Sequence, residues 1–333
     1  MKKVEVTCRL ITPLFMYGTT NKPEIRASSI KGVLRYWWRF FNYDGDEESF
    51  KNRENYIFGS VDNKSPVQIR VERDKNKCEI EKNKNILQEK NNKKSGNENY
   101  GGIKYLFYFL NAGENKNKSY VKENSEFKIQ FRYIDESVVK EYLEALNWLQ
   151  LFGGMGSRSR RGAGNFKIIK ISGNDELAEE YRSKLILDFE DNKMYQNDLF
   201  KDKISIYRFK NGQGENWLKV LDAIGKKYKA FRNVKNEDIY GEKFQSEHKA
   251  VFGLPIGGKV KSDKVTKIKR MESPLIFKVL EIEKEKYECI VIRLHNSPLE
   301  KEEKLKKDDE SLIDKFLQQD CFERIVLPEE VKG

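Results

Sequence analysis

Histidine is almost missing from this chain: 333 residues hold two, His248 and His295. A histidine-based metal site is therefore not expected. Cysteine is sparse and scattered, since Cys8, Cys78, Cys289 and Cys321 form no CxxC pair. Clustered zinc ligands and a dense disulfide framework both need closer spacing. No apolar run approaches the roughly 20 residues that span a bilayer. The first ten residues alternate polar and apolar, which reads as a strand and not as a signal peptide. Four reduced thiols in a cytoplasmic protein are the resulting expectation.

What is abundant is charge. Lys and Arg number 64 against 53 Asp and Glu, for a net charge of +11 and a pI near 9.1. Such a balance favours an anionic partner, either nucleic acid or a membrane surface. A general bias towards Lys and Asn produces the same total, so the location of the charge has to decide. With 20 Phe, 16 Tyr and 4 Trp, the chain is not globally disordered.

The first half reads as strand 3–12, helix 29–42, strands 66–73, 103–110 and 126–134, helix 136–151 and strand 165–171. Strand–helix–strand–strand–helix–strand is the order of a ferredoxin-like fold, here with one extra strand. Residues 74–101 look like a surface insertion. The stretch 173–200 is a candidate linker, with a short helix at 175–186. The second half reads as strand 203–209, helix 215–232, strands 274–281 and 286–294, helix 309–318 and strand 322–327. The predicted fold class is α+β, with tandem ferredoxin-like (RRM-like) domains at 1–172 and 201–333. The halves also resemble each other. Ile57-Phe58-Gly59 precedes Ser65-Pro66-Val67, and Val251-Phe252-Gly253 precedes Ser273-Pro274-Leu275, each Ser-Pro opening an alternating strand.

Two segments concentrate the basic chemistry. In helix 29–42, with Ser28 or Ser29 as N-cap, Ile30, Val33, Leu34, Trp37 and Phe41 share one face. Lys31, Arg35 and Arg39 form a second stripe at i, i+4 and i+8. A cation in the first turn opposes the helix dipole, and Gly32 weakens the helix by about 1 kcal/mol relative to Ala. Those choices fit a bound phosphate, with Trp38 stacking on a base. A solvated stripe with Trp38 in the core is the plainer reading. The second segment is Gly153-Gly154-Met155-Gly156-Ser157-Arg158-Ser159-Arg160-Arg161-Gly162-Ala163-Gly164. Its glycines let backbone N–H groups turn towards a phosphate, and Arg158, Arg160 and Arg161 suit bidentate contacts. It is neither a P-loop nor a dinucleotide fingerprint, because a helix precedes it and a strand follows.

A helix, a Gly-rich Arg-bearing loop and a final strand on a ferredoxin-like core resemble the RAMP superfamily of CRISPR RNA-binding proteins. Thr12-Pro13-Leu14-Phe15, Pro23 to Arg39 and Gly156 to Gly164 are similar to the first RAMP subunit of type III-B (Cmr) effector complexes. Phe252-Gly253-Leu254-Pro255-Ile256 and Arg270 to Leu275 fit the same family less specifically, and residues 74–101 have no placed counterpart. The resemblance implies a non-catalytic subunit without cofactor or metal. It would contact CRISPR RNA and target RNA beside other subunits of the type III-B effector complex, in antiviral defence. Arg26, Lys31, Arg35, Trp38, Arg39, Gly154, Ser157, Arg158, Arg160 and Arg161 are the expected RNA contacts.

Other RAMP members cut RNA, so a metal-independent endoribonuclease using His248 as base is the alternative. A scaffold whose basic faces meet acidic partner proteins is the third reading. His295 reads as a turn residue. Asp44, Asp46, Glu47 and Glu48 read as a solvated acidic loop, with an oxygen-ligand metal site as its sharper alternative.

Overall fold

The computed structural model describes residues 1–43, 45–74, 76–82, 100–108, 118–173, 175–186, 202–233, 251–253, 272–295 and 307–325. Strand β1 (Lys2–Leu10) follows from its alternation. Val4, Val6, Cys8 and Leu10 are wholly buried, and the residues between them are not, as in a sheet covered on one face. After it come α1 (Ala27–Asn42), α2 (Glu47–Phe58), β2 (Val67–Arg73), β3 (Ile80–Lys82), α3 (Gly101–Leu106), β4 (Ser119–Val121), β5 (Glu126–Tyr133), α4 (Glu136–Phe152), β6 (Phe166–Gly173) and α5 (Asp175–Leu185). The remainder comprises β7 (Ile204–Gly214), α6 (Trp217–Asn233), β8 (Leu275–Glu283), β9 (Lys286–Leu294), α7 (Lys307–Leu317) and β10 (Phe322–Ile325).

The chain forms two units. The first contains Met1–Glu98 and Phe107–Met194, and the second contains Asn99–Leu106 and Tyr195–Gly333. In the first unit an antiparallel sheet runs β2-β5-β1-β6, with β3 and β4 as a separate pair. Helices α1 and α4 pack together through Phe41 and Trp148, whose ring centres lie 4.8 Å apart. Tyr142 of α4 meets Phe131 of β5 at 6.0 Å, which places the helices over the apolar face of the sheet. In the second unit the antiparallel sheet runs β10-β7-β9-β8. Its core centres on Tyr228 of α6, against Phe277 at 4.9 Å and Phe316 of α7 at 5.6 Å. Numbered within each unit, both sheets have the order second, third, first, fourth.

The paired motifs occupy matching joints. Gly59 and Gly253 both have positive φ, +79° and +107°, and the Phe58 and Phe252 before them are buried. Ser65 Oγ accepts the Val67 N–H at 3.1 Å, and Ser273 Oγ accepts the Leu275 N–H at 3.2 Å. The next carbonyls match too: Pro66 O accepts from Ile134 N at 3.3 Å and Pro274 O from Leu294 N at 2.8 Å. A hydroxyl caps the strand start and a proline carbonyl ties it to the end of the neighbouring strand, in both units.

Three expectations are corrected. Residues 101–106 are a helix and not the start of a strand over 103–110, of which 109–110 lie outside the described residues. Ile103, Tyr105 and Phe107 alternate like a strand, but a tertiary contact overrides that pattern. Asp222 Oδ1 accepts the Gly102 and Ile103 N–H groups at 2.8 and 3.0 Å. A Cβ on Gly102 would stand 2.0 Å from the Asp222 carbonyl oxygen, so helix α3 lies backbone to backbone on α6. The acidic loop after α1 is instead the start of α2. Asp46 accepts from Glu48 N and Ser49 N as its N-cap, and Glu47 and Glu48 occupy the first turn, where carboxylates favour the dipole; Asp44 lies outside the described residues. Finally, α5 packs on the first unit through Gln150 Nε2 to the Leu185 carbonyl (2.9 Å) and a Lys140–Glu180 pair (2.8 Å), so 175–185 is not free linker. All four cysteines are free thiols, with Cys8 and Cys289 buried.

Candidate nucleic-acid interface

Helix α1 begins at Ala27, earlier than expected. Arg26 takes the N-cap position, with no side-chain cap and no acidic residue in the first turn. Neither Ser28 nor Ser29 is the N-cap. Arg26 donates from its backbone N to Met16 Sδ at 3.3 Å and from Nη1 to the Tyr17 carbonyl at 3.5 Å.

The basic stripe is split by α2. Glu54 of α2 is 4% exposed and its Oε1 accepts from Nε of both Arg35 and Arg39. Two expected phosphate ligands therefore clamp a buried carboxylate and tie α2 to α1. Lys31 remains half-buried one turn earlier. Burial, and then the nearby Arg35 charge, hold its pKa below the usual lysine value. Trp38 is completely buried. It stacks on Phe50 at 5.2 Å and donates from Nε1 to Glu141 at 2.7 Å, so it has no face to offer a base. The cause is the same: α2 covers the side of α1 that the stripe was expected to expose.

The next row of α1 faces the glycine–arginine loop. Gly32, Tyr36 and Phe40 follow at i, i+4 and i+8, with Tyr36 and Phe40 stacked at 6.4 Å. Arg160 Nη2 donates to Tyr36 Oη at 2.8 Å, and its guanidinium lies 5.5 Å from the Tyr36 ring centre. Gly32 is exposed, with nothing within 4 Å of a Cβ placed there. No neighbour in the first unit requires glycine at this helical position. The same i, i+4, i+8 spacing read one residue later finds this row in the sequence.

The loop is braced and not mobile filler. Met155 N donates to Gly164 O (3.0 Å), Ser157 N to Phe15 O (2.8 Å) and Gly164 N to Pro13 O (2.8 Å). Arg161 N and Ala163 N both donate to the Arg158 carbonyl, at 2.8 and 3.2 Å, and Gly162 N donates to Ser159 O at 3.3 Å. The expectation that these glycines free backbone amides for phosphate is corrected for Gly162 and Gly164: their N–H groups, with those of Met155, Ser157, Arg161 and Ala163, close the loop on itself and on residues 13–15. Gly164, at φ +64°, shows why glycine is needed, since a Cβ would fall 2.0 Å from the Met155 carbonyl oxygen. Gly154 is buried, with a Cβ position 2.7 Å from Ala163 O. It is a packing glycine and not a surface contact. Gly153 abuts Trp37 of α1, which seats the loop on the helix.

Ser157 is exposed and the three arginines are half-buried. Arg158 adopts φ +64°. Its pKa is lowered by burial and then by the Arg161 charge, so two guanidiniums are crowded together. Crowded, partly dehydrated cations are relieved by an anion. Among the described residues no group of three or more His, Cys, Asp or Glu side chains is arranged to hold a metal ion. His248 lies outside the described residues. His295 follows β9 directly, and its Nε2 lies 2.7 Å from Ser205 Oγ. No helix among the described residues is long and apolar enough to cross a membrane.

A family model for the RAMP superfamily matches residues 7–167. Over 175 residues the chain is 33% identical to the CRISPR system Cmr subunit Cmr1-2 of Pyrococcus furiosus, spanning 47% of this chain and 90% of that protein. The chain belongs to the Cmr1 family of RAMP proteins. A longer Cmr1 relative, subunit Cmr1-1 of the same organism, is 27% identical over 318 residues, with 87% of this chain and 86% of that protein covered. The fold of the apo crystal structure of Pyrococcus furiosus Cmr1 is similar, with TM-score 0.58, 24% identity and 89% of both chains covered. A chain in a cryo-EM structure of the type III-B Cmr-beta complex bound to cognate target RNA has TM-score 0.53 at 16% identity, covering 88% of this chain and 94% of that one. At these identities the structural likeness to Cmr1 speaks for the fold alone.

Proposed function

We propose that this protein is the Cmr1 subunit of a type III-B CRISPR effector complex, and that it holds RNA without cutting it. Its partners are CRISPR RNA, target RNA and the other subunits of that complex. The reading takes both units as ferredoxin-like domains, which is supported by the shared strand order and the matching Ser-Pro joints. The observation that carries the site is the Arg160–Tyr36 contact, because it joins the glycine–arginine loop to the half-buried Tyr36–Phe40 row of α1 in one edge.

Along that edge Lys31, Arg26, Arg158, Arg160, Arg161 and Ser157 supply cations and a hydroxyl for phosphate. Tyr36 and Phe40 supply the stacking surface that Trp38 does not. Gly32 lets a strand lie against the helix backbone. Recognition of this kind reads backbone and shape, with sequence-tolerant stacking. Arg35 and Arg39 contribute long-range potential from their carboxylate clamp.

The test is RNA binding by the full chain and by Tyr36→Ala and Arg160→Ala variants. Each stacked base is worth about 1–3 kcal/mol, so the Tyr36 change is expected to weaken binding by roughly 5- to 150-fold, with labelled repeat RNA left uncut. Unchanged affinity in both variants sinks the site, and cleavage of the RNA that survives EDTA sinks the non-catalytic reading.

A further inference from the structure

The first unit has a second basic surface, on the side of its sheet away from the helices. Register places Lys128 of β5 and Lys170 of β6 on either side of Thr7 of β1. One row closer to the loop, Arg9 pairs with Lys167. Residues directly opposite in antiparallel strands point to the same face, and Val6 and Cys8 point to the helices, so this row and the next form one cationic corner. Lys128 and Lys170 are exposed and make no ion pair among the described residues. Strand spacing puts their Cα atoms about 10 Å apart.

Glu72 stands directly opposite Lys128 in the register and the Lys128 charge reaches Glu5, but the hydrogen-bonded partners of this face's carboxylates are other groups. Glu126 pairs with Lys77 at 2.9 Å. Glu5 and Glu72 are both held by Gln130 Nε2, at 2.7 Å each, and Glu5 also pairs with Lys3 at 3.4 Å. The corner is also continuous with the loop. Strand β6 begins immediately after it, Lys167 follows Arg161 by six residues, and Ile11 N donates to Asn165 O at 2.7 Å where the loop enters the strand.

General lysine enrichment does not account for the pattern. The matching face of the second sheet carries Ile206, Ile292 and Ile276 in one row, all buried, and the cations of its next row are not presented to solvent in the same way, Arg208 pairing with Glu288 and Lys278 being fully buried. Two exposed lysines flanking a threonine, with no aromatic or aliphatic side chain in the rows, lack the anchors on which protein partners dock. They match the phosphates of an extended strand.

We propose that a single-stranded RNA leaving the loop edge turns over the start of β6 and continues across this corner of the sheet. Lys128 and Lys170 neutralise backbone phosphates there, with Arg9 and Lys167 between them and the loop. This track rests on the proposed RNA-binding role of the loop and extends it to a face that carries no part of that site.

The experiment uses the full chain, fluorescein-labelled single-stranded RNA in one short and one long oligomer, and anisotropy titrations across a salt series. A Lys128→Glu/Lys170→Glu double variant is compared with Arg160→Glu, and Lys128→Gln/Lys170→Gln guards against a folding defect from charge reversal. For single strands each lost phosphate contact lowers the log–log salt slope by about 0.7. The double variants are expected to lose about 1.4 from the slope on the long oligomer and nothing on the short one. Equal slopes for wild type and both double variants, while Arg160→Glu weakens binding, overturn the track and leave the loop site standing. Loss in the double variants with no effect of Arg160→Glu leaves RNA contact at the sheet surface but removes the loop site, and with it overturns the continuous track. Crosslinks from Lys128 and Lys170 to a partner protein and not to RNA, in the assembled complex, also overturn it.

Discussion

In the first unit, thirteen residues (153–165) join helix α4 to β6, the last strand of the sheet; in the second, the four residues 318–321 join α7 to β10. The long connection holds five glycines and three arginines, and the short one reads Gln-Gln-Asp-Cys. The sheets differ in the same direction. One exposes lysines on the face away from its helices, and the other buries isoleucines there. Strand order and the Ser-Pro joints are nevertheless shared. The common fold thus sets where a loop and a face occur, and the residues grafted onto them set what they do.

The largest expected effect tests whether the long loop is a built element. Gly164→Ala forces a Cβ into the Met155 carbonyl at positive φ. The cost is on the order of 3 kcal/mol, and the melting temperature should fall by about 10 °C. Gly102→Ala meets an equally close carbonyl in the second unit and should destabilise the protein comparably without altering the loop. Calorimetry of both variants checks this, and an unchanged Gly164→Ala transition breaks the contrast.

A smaller effect separates structural from binding charge. Glu54→Gln removes the carboxylate that Arg35 and Arg39 share. Glu54 is buried, but its arginines reach water, with side chains 31% and 52% exposed. The loss should therefore be about 1–2 kcal/mol, below the roughly 3–5 of a fully buried broken pair. Under the proposed function RNA affinity rises as stability falls, because two guanidiniums are released. Denaturant melts and anisotropy on one preparation give both signs; affinity falling in step with stability speaks against the clamp.

The smallest effect separates the units by pH. His295 belongs to the second unit. The His295 pKa is lowered from 6.5 by burial and then by Arg293 and Arg324. A depressed folded-state pKa means the unfolded chain takes up the proton first. This contribution is fully present above pH 6.5 and fades as the pH drops below it. The second unit should lose stability as the pH falls from 7 to 5, and His295→Gln should flatten that change. Identical pH curves for wild type and variant remove the prediction.

Much of this was legible in the chain alone. Polar–apolar alternation in β1 and the repeated Ser-Pro openings are local patterns, and local patterns survive folding. The loop composition was equally plain, because glycine alone meets close approaches such as that of Gly164 to the Met155 carbonyl. Helix α2 escaped notice because its charged sequence has little apolar periodicity. Its Asp46 cap and acidic first turn were the available signal.

Sequence by itself determined where the basic helix and the glycine–arginine loop lie, since both are runs of contiguous residues. Tertiary structure alone decided which of their side chains face outward. Helix α2 folds over one row of α1, burying Trp38 and pairing Arg35 and Arg39 with Glu54, and the loop settles beside the next row at Tyr36. A helix's own spacing defines its faces, but which face is covered depends on an element distant in sequence, through burial and ion pairing that no local window contains.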